Sequence, residues 1–194
     1  MNKIEVNPSP DINKTGREPG RKKQKRKSRR TVRPVLYLLV AIAAVAVVVA
    51  AYQLPVMRIY GSSMKPTLTE GDIVVSVTGT KFETGDVVLV NNGSKILVRR
   101  IIAKAGEWVN IDARGIVYVN NRRINEPYVS EMALGECDIE LPYQVPDNTV
   151  FVMGDHRKTS IDSRNTSVGC IKTDDIAGKI IFRAWPITKT GAIS

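Results

Sequence analysis

Residues 35–54, VLYLLVAIAAVAVVVAAYQL, are twenty consecutive positions without a charge. At ~1.5 Å of rise per residue, a helix of that length reaches roughly 30 Å, the hydrocarbon thickness of a bilayer. A buried core helix is the alternative for a run with no polar face. A cleaved signal peptide is another, since the small residues Ala50 and Ala51 imitate a cleavage site. Cleavable apolar cores run about 7–15 residues, however, and this one is longer. The pattern therefore predicts one membrane-spanning helix over 32–54. After Pro55 the period shortens. Val/Ile-dense runs at 72–78, 86–90, 96–102, 108–111, 116–119, 150–153 and 176–184 predict strands, with Asp112-Ala113-Arg114-Gly115 and Asn120-Asn121 as turns. Residues 130–143 lack a period and read as a loop or cap. No stretch beyond residue 55 keeps a helical period over three turns, so residues 55–194 are expected to form one mainly β domain, an antiparallel sheet or barrel.

Charge changes the picture once it is located. The 194 residues carry a net +10, which points toward nucleic acid. Residues 1–34 hold twelve Lys/Arg against three acids, a net of +9, which leaves +1 for the remaining 160. A nucleic-acid-binding domain keeps its basic patch on the folded part. This chain does not, and nucleic acid is excluded as a partner. Residues 1–31 have almost nothing apolar to bury and are expected to be disordered. Their block RKKQKRKSRR, just before the span, places that end in the cytoplasm and sends 55–194 outward across the plasma membrane. Two cysteines, Cys137 and Cys170, are too few for a disulfide scaffold or a zinc site, and their pairing is left open.

Candidate chemistry begins directly after the span. In GSSMKPTL (61–68), Gly61 and Pro66 exclude a regular helix and place the Ser63 hydroxyl on a turn or edge. Serine is a weak nucleophile unless a base removes its proton and donors hold the developing oxyanion. Farther on, GDHRKTSIDSR (154–164) alternates charge through Asp155, Arg157, Asp162 and Arg164. A surface charge run is the ordinary reading of such a pattern. His156 is the only histidine and opens the option of a Ser–His pair.

GSSMKPTL, GDVVLV (85–90) and GDHRKTSIDSR together, in that order, resemble the conserved boxes of type I signal peptidases. The resemblance implies a serine endopeptidase that removes signal peptides from exported precursors, cleaving after small residues at −1 and −3. It implies no metal or organic cofactor, a monomer, and precursor proteins and the lipid bilayer as partners. Ser63 would be the nucleophile. Gly61 resembles the Gram-positive branch, in which backbone N–H groups hold the oxyanion. Ser62, Met64 and Pro66 would shape the cleft and the loop. Arg100 would pair with Asp155, while Arg157, Asp162 and Arg164 would complete a partly buried ion-pair set. Ser160 matches the serine that hydrogen-bonds the family's lysine base, and Gly106-Glu107 and NRRINEPYV (121–129) resemble structural segments.

One position departs from that pattern. The family's lysine base opens a Lys-Arg pair, and here the pair reads Arg99-Arg100. A lysine in an apolar pocket can become neutral and accept the serine proton. A guanidinium has donors only and keeps its charge. Lys65, Lys95 and Lys104 are the nearby lysines, but none has the spacing to replace it on an extended backbone. Two readings follow: a membrane-anchored signal peptidase, or a catalytically impaired homologue acting as a binding or assembly factor.

Overall fold

The computed structural model describes residues 29–79, 81–93 and 95–193, and residues 1–28 of the tail expected to be disordered over 1–31 lie outside them. The chain divides into two units, Met1–Ala44 and Val45–Ser194. Among the described residues the one α-helix, α1, runs Arg29–Gln53 and so begins inside the basic block rather than after it. Side chains are described for 34–49 of it, and all of these are exposed, including Leu36, Leu39, Ile42 and Val48. Among the described residues no helix is long and apolar enough to cross a membrane. Residues 32–33 and 50–53 of the span expected over 32–54 lie outside the residues whose side chains are described.

The second unit is antiparallel β, as its Val/Ile runs predict. One sheet takes β1 (Val56–Arg58), β2 (Ile73–Val77), β11 (Ile176–Trp185), β3 (Val87–Asn92), β4 (Lys95–Lys104), β9 (Thr149–Met153) and β10 (Ile171–Lys172) in that spatial order, with β12 (Gly191–Ala192) on β11. A smaller sheet has the order β7 (Arg122–Arg123), β6 (Val117–Val119), β5 (Trp108–Ile111) and β8 (Tyr143–Gln144). Asn120 and Asn121 turn β6 into β7 with φ of 50° and 62°. Asparagine tolerates this left-handed backbone better than most residues do. Residues 130–142 hold no strand, and Leu134, Ile139 and Leu141 from that loop pack on the core beneath the smaller sheet. The short strands β1, β7, β8, β10 and β12 carry too few residues for a readable period.

Strand β4 matters most for the site. From Lys95 to Arg100 it pairs with β3, and only from Arg100 onward does it also pair with β9. Its first half therefore keeps one edge without a strand partner among the described residues. The outer edge of β1 is in the same condition, since β1 pairs only with β2. The sheet curls until these two edges face each other across a cleft of about 490 Å³, lined by Met57–Gly61, Ser63, Met64 and Ile96–Arg99.

Candidate active site

The turn carrying Ser63 is anchored from below. Met64 and Leu68 are buried in a cluster with Ile59, Val74, Val87, Leu89 and Ile180, and each such burial contributes about 1.5–3 kcal/mol. Backbone bonds from Lys65 N–H to Ser62 O (3.1 Å) and from Leu68 N–H to Met64 O (2.9 Å) close the turn without continuing as a helix. Gly61 enters it at φ 86°, a left-handed angle that a side chain would strain, although space around it is open. Ser62 and Pro66 are exposed on the rim. Arg183 on β11 donates to Thr67 O (2.8 Å) and to the Asp72 carboxylate (3.1 Å). Burial would raise the Asp72 carboxyl, but hydrogen bonds from Thr69 and Arg183 outweigh it and hold the group below the usual carboxylate range.

The 154–164 segment closes against that turn. His156 N–H donates to Ser63 O at 2.9 Å. A Cβ on Gly154 would stand 2.6 Å from Ser63 O and 2.2 Å from Ser160 Oγ, so only glycine permits the approach. The His156 ring turns to the Thr159 hydroxyl and makes no hydrogen bond to Ser63.

Neighbours on a strand face opposite sides, and this separates Arg99 from Arg100. Arg100 points to Asp155, with bonds of 3.0 and 2.8 Å, donates to Gly85 O, and lies 3.9 Å from the centre of the Tyr128 ring. The Thr67 hydroxyl donates to the same carboxylate and ties it to the Ser63 turn. Arg99 points to the cleft. Its Nη1 donates to Ser63 Oγ at 2.8 Å and to Val98 O at 2.6 Å, and its Nη2 donates to Ile161 O at 2.7 Å. Burial pushes this guanidinium down from its ordinary value; Asp162 offsets part of the effect and Arg164 adds to it. It remains a group with donors only.

Asp155, Arg157, Asp162 and Arg164 are buried, but they do not mainly pair with each other. Arg164 holds Asp162 at 2.8 Å within the segment. Arg157 instead pairs with Glu126, and Asp155 with Arg100. Glu126 lies in the Glu-Pro-Tyr stretch that sequence reading treated only as structural support. No charge period could assign it to Arg157, 31 positions away. Ser160 is 1% exposed and its Oγ is buried without a hydrogen-bond partner, one position before Ile161, whose carbonyl Arg99 bonds. Lys104 is tied to Glu83, while Lys65 and Lys95 are exposed and make no hydrogen bond to Ser63. Among the described residues no group of His, Cys, Asp and Glu side chains could hold a metal ion.

The arrangement is a cleft with a serine on its floor, a cation donating to that serine, and two unpaired strand edges as walls. Comparison with known proteins identifies the chain to which it belongs. A family model described as "Signal peptidase, peptidase S26" matches residues 31–185. Signal peptidase I T of Bacillus subtilis (strain 168) is 37% identical over 142 residues, covering 66% of this chain and 72% of its own. Signal peptidase I of Bacillus licheniformis is 31% identical over 158 residues, covering 74% and 83%. A solved signal peptidase I from Enterococcus faecalis V583 aligns with a TM-score of 0.42 at 24% identity, over 52% of this chain and 97% of its own. With the family model spanning the Ser63 turn, β4 and the 154–164 segment together, the chain belongs to the signal peptidase, peptidase S26, family.

Proposed function

We propose that this chain is a membrane-anchored signal peptidase homologue whose cleft takes up the signal-peptide end of exported precursors. The observation that carries this reading is the position of Ser63 between two strand edges without partners. An extended peptide can add there as a strand, with backbone bonds for affinity and alternate side chains entering the walls. Ser63 then faces the scissile carbonyl as nucleophile. Cleavage falls after small residues at −1 and −3, since Met57, Ile59, Met64 and Val98 crowd the walls. Synthetic precursors with bulky residues at −1 and −3 should lose binding and processing together. Equal handling of bulky and small residues by the full chain would overturn the groove reading.

The anchor is residues 32–54. The exposed apolar side chains between 35 and 49 support it, because such a helix surface needs an apolar solvent. The preceding basic block then keeps the N-terminus inside and puts 55–194 outside. In cells stripped of their wall, added protease should reach a C-terminal tag and spare an N-terminal one. The reverse pattern would defeat this topology.

Arg99 favours the second reading, a binding or assembly factor with impaired catalysis. Its guanidinium donates to Ser63 Oγ where a base would have to accept from it. Positioned general-base help is worth ~10²–10⁴-fold, and cleavage by this chain is slower by that factor.

A further inference from the structure

Four arginines are buried in the β unit: Arg99, Arg100, Arg157 and Arg164. Three have carboxylates of their own, in Asp155, Glu126 and Asp162. Arg99 is the exception. At 7% exposure it has no carboxylate within ion-pairing distance among the described residues, and its hydrogen bonds go to a hydroxyl and two carbonyls. Five N–H groups serve four such bonds, so one remains for another acceptor. A buried charge without a counter-charge is costly. This one lines an open cleft, and an anion entering the cleft removes that cost.

The surroundings define the anion. Ser63 Oγ accepts from Arg99, so its own proton is free to be donated into the same space. The floor thus offers a charged donor beside a neutral one. The walls are apolar, with Met57, Ile59, Met64, Ile96 and Val98, and are edged by strand backbone without partners. One cation in an apolar, strand-edged groove suits a single carboxylate on an extended chain. A phosphate calls for several cations or a nest of N–H groups. We propose that the cleft is a receptor for the C-terminal carboxylate of an extended peptide ending in small residues, such as a released signal peptide. This rests on the groove reading given above. It adds that Arg99 makes the site discriminate between a peptide that ends at Ser63 and one that continues past it, because only the former brings a negative charge.

The test uses the full chain in detergent micelles and fluorescently labelled peptides ending in Ala-Ser-Ala. One carries the free carboxylate, its twin a C-terminal amide. Fluorescence anisotropy should show the acid binding roughly 10- to 100-fold more tightly than the amide, the range of a hydrogen bond to a charged group. In Arg99→Gln, and in Arg99→Leu as a second neutral replacement, the acid-to-amide ratio should fall to about one. An equal affinity for acid and amide in the unaltered protein would overturn the carboxylate site while leaving the groove standing. Binding of neither peptide would overturn both. A preference for the acid that survives in a folded neutral variant would place the anion on a group other than Arg99.

Discussion

Arg99→Lys should raise Ser63-dependent cleavage of a precursor by ~10²–10⁴-fold, the usual worth of a positioned general base. Lysine replaces a donor-only group with one that can lose its proton. At this position, burial of the kind that already lowers the Arg99 guanidinium would lower an amine as well. Ser160 supplies the other half of the argument. Its Oγ is buried without a partner, and the arginine bonds the carbonyl of the next residue, Ile161. A shorter amine at position 99 gives that hydroxyl something to bond. The neutral amine is the active form, so the rate should be low at acidic pH and climb as the amine deprotonates. No such rise is expected of the unaltered chain, whose guanidinium stays protonated at any usable pH. Cleavage by Arg99→Lys should vanish when Ser63→Ala is added. Two silent proteins, with and without the lysine, would defeat the peptidase reading and leave binding alone. Strong cleavage by the unaltered chain, lost in Ser63→Ala but indifferent to position 99, would place the base elsewhere, and Lys65, Lys95 and His156 would be replaced in turn.

Asp155→Asn should cost the fold ~3–5 kcal/mol, the range for removing one partner of a buried ion pair. Arg100 and Asp155 are both 1% exposed, so the substitution leaves a guanidinium out of water with no counter-charge. The loss should exceed that of any surface substitution, which stays within about 0.5 kcal/mol. It should also loosen the Ser63 turn, because the Thr67 hydroxyl bonds the same carboxylate. Denaturant unfolding of the full chain in detergent gives the stability, and the double variant Arg100→Met/Asp155→Leu separates the causes. Removing both charges should recover part of the loss, since the cost lies in the orphaned charge more than in the missing bond. A double variant no more stable than Asp155→Asn would mean that packing of Arg100 on Tyr128 and its bond to Gly85 O dominate instead.

The strands of the β unit were legible because their signal is local. Val/Ile runs separated by turn residues state their own period, and Trp108–Ile111 forms a strand over the same four residues that the pattern marks. The order of the boxes made the family legible, and one side chain, Arg99, stood out against it. Confinement of the positive charge to residues 1–34 also needed no coordinates. Partners were another matter. Arg157 stands two positions from Asp155, yet it bonds Glu126 on a distant loop. Arg99 and Ser63, 36 positions apart, meet across the cleft they both line, and Gly154 lets the 154–164 segment approach the same Ser63 turn. Such contacts depend on which elements pack together, and no local period encodes that. The half-paired edge of β4 has the same origin, since it exists because the antiparallel β9 ends at Met153, opposite Arg100. The free edge, the unpartnered Ser160 hydroxyl and the buried cation without a carboxylate were therefore decided by tertiary structure, while the residues that compose them were plain in the chain.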